Sequence, residues 1–487
     1  MAYEVVVVGG GIGGLTAAAL LAARGVNVCL IEKESRVGGC AASFQKFGYD
    51  FEPGAGLYAS WQPGEVHERV FAELPIAPPE AHPISPAYVV RLPDRAEVAL
   101  TENTLEFEES LRASFPECAE AAVDFYRELA PLSEVLRGNA RPVTAISDEQ
   151  ISPLILSAMN DTAAQHLTQT SQRFRRFIDA QLQIFAQCDS EACAYSYAAL
   201  ALMLPRRGMY TIRGGASALA DTLARAIKKS GGTVRLNTTV LRLAYDSSGR
   251  ATGVDLLSGE KVEAARAVVS NLTVWDTYGK LVGLSRTPQD VRARLKNLNG
   301  WGAYLLFLGL DEEASARLPA DHILALTGWQ EEQAYDAEQA QFMFAAAPVS
   351  DARAPAGRRA VTVSTFTESS EWFSFHEDET ELEEQDQAML EIWWERLHAA
   401  MPELGDGVEV IETMTPRDYY ENTRRKLGMV GGIRQSVDVL SLNTLTHRTT
   451  LPNLFMVGDT VFPGQGVAAV TQSGLIVANE IAPPTKH

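Results

Sequence analysis

YEVVVVGGGIGGLTAAALLAARGVNVCLIEKESRVGGC, residues 3–40, is the stretch that decides the fold. Residues 3–8 form a short β-branched run. Past Glu4 neither face offers a polar side chain to water, the pattern of a strand buried in a parallel sheet. The run leads into Gly9-Gly10-Gly11-Ile12-Gly13-Gly14, which holds G-x-G-x-x-G at Gly9, Gly11 and Gly14. Residues 15–24 then form a strong helix former, stopped by Gly25. Residues 26–31 read as a second strand, closed by Glu32. In such a turn Gly9 permits the tight exit from the strand, Gly11 lets a pyrophosphate approach the backbone, and Gly14 lets the helix pack on the strand. The unpaired N–H groups and positive end of the helix face the two phosphates. Glu32, eighteen residues after Gly14, stands where a carboxylate accepts both ribose hydroxyls, and its charge argues against a 2′-phosphate. Strand, glycine loop, helix, second strand and acidic residue together predict a dinucleotide site.

The next residues choose the dinucleotide. Gly38-Gly39 follows Glu32 by six and seven residues, a second close backbone approach suited to a longer cofactor. FAD enzymes of the amine oxidase and carotenoid desaturase group carry this glycine pair. At the other end, residues 454–457 read as a strand, followed by Gly458-Asp459. Pro463-Gly464-Gln465-Gly466 then leads into a helix of small residues, 467–478. Asp459 at a strand end can bond ribityl hydroxyls, and the N-terminus of the last helix can face the flavin pyrimidine, where its positive end suits the charge of a reduced ring. No second G-x-G-x-x-G follows a strand, so a separate NAD(P)H domain is not expected. The electron partner is then O2, a quinone or another protein.

A chain of 487 residues is too long for one core and predicts two domains. Apolar residues at 46% and charged residues at 21% fit a globular protein. The net charge of −20 argues against nucleic acid as a partner and against strong electrostatic attraction to anionic lipid. Five scattered cysteines without a C-x-x-C pair support neither a zinc site nor a disulfide framework, and a reducing, cytoplasmic setting is expected. A first strand at Tyr3 leaves no room for a signal peptide. The longest apolar runs, such as 197–204, fall short of a membrane span.

Between the two cofactor ends, residues 47–56 read as a strand pair with a glycine-rich turn. Residues 87–92 and 96–100 read as another strand pair, and residues 106–204 as a helical block. Phe174, Phe177, Ile178, Leu182 and Phe185 recur at helical spacing, as core or as the lining of a long apolar ligand. Residues 217–229 read as a helix; 233–236, 240–245, 251–257, 261–263 and 266–271 read as short strands. A second insertion contains a strand at 304–310 and an acidic stretch at 368–384. It also contains a helix at 381–400 with Met389, Leu390, Ile392, Trp393 and Leu397 as its buried stripe. The expected fold class is α/β: a Rossmann-type, amine-oxidase-like FAD-binding domain (1–75, 206–285 and 419–487) with an inserted α+β substrate domain (76–205 and 286–418).

LFMVGDTVFPGQG at 454–466 resembles the C-terminal flavin motif of carotenoid desaturases and carotenoid isomerases. VVSNLTVWDTYGKL at 268–281 resembles the isomerases. GMVGG at 428–432 and PGEVHERVF at 63–71 look like cyanobacterial C-3′,4′ desaturases. The resemblance implies non-covalent FAD and a peripheral membrane protein that takes a polyene from lipid. It implies that Gly9, Gly11, Ile12, Gly13, Gly14, Glu32 and Lys33 hold the ADP half, that Gly38 and Gly39 pass the phosphates, and that Val240 meets adenine through its backbone. Gly56, Gly458, Asp459, Gly466, Val467 and Ala468 fall to the ribityl chain and ring. Many relatives have Asp where this chain has Glu52, which puts any role of that Asp in doubt.

Removing two hydrogens from allylic carbons needs alignment and a proton acceptor beyond the flavin itself. None of the eight histidines falls in a triad or a metal spacing. Tyr58, Asp189, Arg213 and Gln465 are the candidates for polar contacts near the ring. Carotenoid desaturation is the expected activity. The alternatives are cis–trans isomerisation with reduced FAD, an amine-oxidase-like reaction (although Cys40 and Ala41 stand where that group usually has Arg) and a polyene carrier.

Overall fold

The structure is a computed structural model that describes residues 2–138, 158, 160–328, 334–373, 379–441 and 446–484. Strand β1 (Ala2–Val8) pairs in parallel with β2 (Val28–Ile31) on one side and with Lys261–Ser270 on the other. Thr233–Arg235 lies outside β2, and Leu454–Met456 lies outside Lys261–Ser270, both parallel. These strands all end at one edge. Helices 12–23, 215–229 and 467–481 cover one face of the layer and an antiparallel meander with residues 274–298 covers the other, so the crevice at that edge is where such a sheet receives a ligand.

Helix α1 (Ile12–Ala23) buries all of its residues but the last. A helix apolar all round belongs inside, and α1 packs against both Val467–Ile481 and Gly215–Lys229. Alanines and glycines make that approach possible. Arg24 pins its end: its guanidinium pairs with Glu73 at 2.7 Å and bonds Asn479 Oδ1 at 2.8 Å and the Ala482 carbonyl at 2.7 Å.

Two expected strands, 261–263 and 266–271, are one ten-residue strand. Its first half closes an antiparallel meander with Ala251–Leu256 and Val240–Tyr245, and its second half enters the parallel layer. Ala264-Ala265-Arg266 has little strand preference of its own; β1 alone runs alongside it, with a register shift between Tyr3 and Val5, and the firm pairing before and after it carries the strand through.

A second sheet orders Val408–Met414, Gly302–Asp311, Arg358–Thr367, Gln341–Ala346, His322–Leu326, Tyr88–Arg91 and Glu97–Leu100. Strands from before residue 101 and after residue 300 therefore share one sheet, joined by the parallel pair His322–Leu326 and Tyr88–Arg91. Thr104–Ser114, Ala119–Gly138, Gln172–Ala186 and Tyr195–Met203 form the helical part. Phe174, Phe177, Ile178 and Leu182 are wholly buried there, with Phe115 edge-on to Phe174.

Two local expectations are corrected. The strand pair near residue 50 is Phe44–Lys46 with Tyr49–Phe51, turning at Phe47-Gly48, and residues 53–56 are unpaired. In helix Glu379–Ala400, Trp393 and Leu397 are buried, but Ile392 is 43% exposed. The adjacent Trp393 takes the inward position, and a neighbour in a helix points about 100° away. The acidic stretch 368–384 falls partly outside the described residues. No helix among the described residues is long and apolar enough to cross a membrane.

Three buried histidines are held neutral. Burial pushes His67 down to about 3 and His322 and His447 to about 4. Neither ring nitrogen of His67 has a hydrogen-bond partner among the described residues, and the ring stacks on Trp61 at 4.3 Å. The folded pKa lies below the unfolded one, so the unfolded chain binds more protons between them and stability falls as pH drops below 6.5. Asp179, pushed up to about 6 by burial, works in the opposite direction. The informative comparison is therefore wild type against His67→Phe. Below pH 6.5 the variant is expected to gain relative stability by up to about 1.4 kcal/mol per pH unit, read as thermal midpoints against pH. Parallel profiles would contradict a neutral His67.

Candidate active site

A cavity of about 1830 Å³ opens along the carboxyl edge of the parallel sheet and continues beneath the second sheet. Its first part is the loop between β1 and α1. Gly9, Gly10, Gly11, Ile12 and Gly13 line it, with Gly9 at φ +98°. Gly11 begins α1 with no side-chain cap and no acidic residue in the first turn. The first N–H groups of the helix are thus left for a ligand anion. Gly38 lies against this loop: its N–H donates to the Gly10 carbonyl at 2.8 Å. Gly38 and Gly39 adopt φ +117° and +59°, which glycine alone takes at little cost.

Gly11 and Gly14 have tighter reasons to be glycine than their spacing suggests. A Cβ on Gly11 would stand 2.5 Å from Asn271 Nδ2. One on Gly14 would stand 2.5 Å from the Gly9 carbonyl oxygen and 2.9 Å from Asn271 Cβ. Gly14 is off the cavity wall; it lets helix and strand close, the packing role expected of it from the motif, and does not itself face the space where the resemblance put it against ADP. Asn271 itself lines the cavity and follows directly on a parallel strand end. That position was the available signal, and the sequence reading passed over it.

Glu32 also lines the cavity. Its carboxylate accepts from the Gly10 N–H at 2.6 Å and the Glu34 N–H at 2.9 Å, which leaves lone pairs for two more donors. Val240 lines the same wall with Thr238 and Thr239. Lys33 touches the cavity, but its ammonium is held by Glu34 and by the Asn422 carbonyl at 2.8 Å.

The chain end closes the other side. Gly458, Asp459, Gly466, Val467 and Ala468 line the cavity, as does Gly56. Helix Val467–Ile481 starts at Gly466 with no side-chain cap, a second uncapped N-terminus facing the same space. The helix is seated on α1 at Gly474, where a Cβ would lie 2.6 Å from the Gly13 carbonyl oxygen. Asp459 is not free: Arg425 Nη2 donates to its Oδ2 at 2.8 Å, and Arg425 Nε donates to the Met429 carbonyl at 2.6 Å. Burial works against the Arg425 charge, but Asp459 and then Cys40 outweigh it and hold the guanidinium above its ordinary value. Nothing in the local sequence marks Arg425.

Beyond these polar groups the wall turns apolar, with Leu57, Ile184, Phe185, Leu200, Leu204 and Met343. Of the regularly spaced apolar residues in Gln172–Ala186, Phe185 reaches the cavity and the other four are core. Of the candidates near the ring, Tyr58 and Gln465 line the cavity. Gln465 ties its segment to that helix, donating to the Ile184 carbonyl at 2.6 Å and accepting from Gln187 Nε2 at 3.3 Å. Asp189 and Arg213 are corrected, since neither lines it. The Asp189 carboxylate accepts the Ala192 N–H at 3.1 Å within its own turn. Arg213 is exposed and pairs with Glu80 at 3.2 Å. Glu52, whose role was left in doubt, is a buried carboxylate on the wall, bonded to Tyr58, Ala216 and Arg353.

A glycine cradle that a side chain would fill, two uncapped helix N-termini, an acidic partner for a ribose and a long cavity fit FAD. Fold and cavity together define an FAD-dependent enzyme of the oxidoreductase or isomerase class. Residues 12–482 match the family of flavin containing amine oxidoreductases, and the chain belongs to it. It is 25% identical over 504 residues to the prolycopene isomerase of Arabidopsis thaliana, covering 99% of this chain and 82% of that one. To the all-trans-retinol 13,14-reductase of Homo sapiens it is 24% identical over 525 residues, covering 98% and 85%. The structure of putrescine oxidase bound to putrescine superposes with a TM-score of 0.69 at 15% identity, covering 99% of both chains.

Proposed function

We propose that this enzyme acts on a long apolar polyene and that cis–trans isomerisation is its reaction. The observation that carries the substrate class is the continuity of the cavity, from the glycine cradle to a wall of Leu57, Phe185, Leu200, Leu204 and Met343 without a break. At about 1830 Å³ it exceeds the roughly 300–1,000 Å³ of an ordinary small-molecule site, as a dinucleotide with a second long ligand requires. Similarity to prolycopene isomerases along 99% of the chain favours isomerisation over desaturation, which the sequence motifs alone put first.

When bound, FAD would supply redox-active flavin chemistry to the cavity. The loop 9–13 and the first turn of α1 would hold its phosphates, Glu32 its adenosine ribose, and Val240 its adenine edge. Asp459 with Arg425, and the N-terminus of Val467–Ile481, would hold the ribityl chain and ring. The apolar wall orients the polyene and excludes water, which lengthens the life of any charge developed on the chain. Uptake of substrate from a membrane surface belongs to the same proposal; O2 or a quinone as electron acceptor belongs only to the desaturation alternative.

The test is anaerobic. FAD-loaded protein is mixed with a set of cis and trans carotenoids and retinoids in liposomes, with and without prior flavin reduction, and polyene absorbance and mass are followed. A cis-to-trans spectral change at constant mass, seen with reduced flavin, is the expected result. Loss of two hydrogens per flavin would make it a desaturase, and gain of two a reductase. Turnover of amines with no change in any polyene would overturn the substrate class.

A further inference from the structure

Glu52 and Tyr58 form a cluster that cofactor binding does not use. Tyr58 opens the strand Tyr58–Ala59, which pairs with Met209 and Tyr210, so its backbone is held. The residue is only 2% exposed, yet it lines the cavity together with Glu52. Its hydroxyl bonds Glu52 Oε1. The Ala216 N–H donates to that same oxygen at 3.1 Å. Arg353 Nη1 donates to Oε2 at 3.1 Å, while its Nε pairs with Asp351 at 2.7 Å and its Nη2 with the Ile212 carbonyl at 2.9 Å. Gly215 makes room: at φ +64° it leaves a gap that a Cβ would fill 2.6 Å from Glu52 Oε2. The carboxyl group is clamped on every side by donors that cannot give up a proton readily, except towards Tyr58.

We propose that Tyr58 and Glu52 are a proton relay: Tyr58 exchanges a proton with a polyene carbon, and Glu52 resupplies and recovers it. The proposal rests on the polyene reading above. Of the donors to the Glu52 carboxyl, the Tyr58 hydroxyl is the one able to exchange a proton with it, and burial raises Glu52, with Arg353 opposing. Isomerisation then balances within the chain and its substrate. The Tyr58 O–H bond breaks and its proton adds to one carbon of a cis double bond, whose π pair becomes the new C–H bond. Tyr58 takes the proton of Glu52. The polyene is left as a delocalised cation and Glu52 as a carboxylate, so charge is conserved. The former double bond rotates. A proton then leaves the same carbon for Tyr58, the C–H pair restores the π bond, and Glu52 is protonated again. No electron leaves or enters.

The experiment is anaerobic isomerisation in D2O by the FAD-loaded enzyme with its flavin reduced beforehand, read by product mass. Wild type is expected to place deuterium on the product. Tyr58→Phe, which keeps the ring and its packing, is expected to lose label and about 10²–10⁴-fold in rate, the usual worth of a positioned acid or base. Its FAD affinity and flavin spectrum should stay those of wild type. Glu52→Gln, which keeps the Tyr58 hydroxyl but not its proton source, should also lose label. Arg213→Ala, outside the cavity, should match wild type. Unlabelled product from a wild-type enzyme that does isomerise would overturn the relay and leave the polyene reading standing, whatever the variants do. A wild type that changes no polyene would overturn both.

Discussion

Arg425→Ala is expected to release FAD and to destabilise the chain. The substitution leaves the Asp459 carboxylate, 18% exposed, without its guanidinium. Breaking a buried pair by removing one partner costs about 3–5 kcal/mol, because the surviving charge keeps its desolvation penalty. The Met429 carbonyl loses its donor as well. Both Arg425 and Asp459 line the cavity, so the disturbance falls on the wall proposed to hold the ribityl chain. FAD affinity, measured by recovery of flavin fluorescence on dilution, should fall at least tenfold, about 1.4 kcal/mol. Arg425→Lys should rescue only in part. A point charge cannot serve Asp459 and the Met429 carbonyl at once as a planar fork does. Wild-type affinity in both variants would remove Arg425 from the site.

Gly14→Ala should also abolish tight FAD binding, by a different route. The new Cβ meets the Gly9 carbonyl oxygen at 2.5 Å and Asn271 Cβ at 2.9 Å. Neither is the free end of a flexible side chain, so backbone must move. Overpacking of this kind costs about 1–3 kcal/mol, and here the strain falls on the turn that sets the N–H groups of α1 against the cavity. A 10–100-fold loss of FAD affinity, in line with that energy, is expected. Gly25→Ala is the control: its φ is +81°, but nothing lies within 4 Å of the added Cβ. It should lose some stability and keep its FAD affinity. Equal losses in the two variants would mean that strain anywhere along α1, and not closure at Gly14, governs binding.

The parts of the cofactor site built from contiguous sequence were legible. Loop 9–14, Glu32, the pair Gly38-Gly39 and the run from Gly458 to Ala468 each combine a strand end, a glycine and a helix start, and each of those has a local signature. All of them line the cavity except Gly14, which works one layer behind the wall, and Thr460, Val461 and Gly464 within the last run. Arg425 and Glu52 were not assigned, since their significance comes from distant partners, whereas Asn271 was passed over although its place at a strand end was a local signal. Arg425 matters because Asp459 is beside it, 34 residues on, and Glu52 because Arg353 and Ala216 meet it. Asp189 and Arg213 were misplaced for the same reason. A charged residue near an expected boundary has no direction until the chain folds, and both turned to local partners.

By itself the sequence determined the βαβ beginning, the FAD class of the cofactor, the α/β architecture and the return of the chain end to the site. Short-range steric and hydrogen-bonding rules, of period two in strands and 3.6 in helices, suffice for these. Only the tertiary structure decided which apolar residues are core and which line the cavity. Phe177 and Phe185 stand on one helix at helical spacing, and a sequence pattern reports burial without saying what does the burying. The tertiary structure also decided the ionic pairs. Burial makes a charge costly unless a partner is brought to it, and the partners of Glu52 and Asp459 come from elements that only the folded sheets bring together.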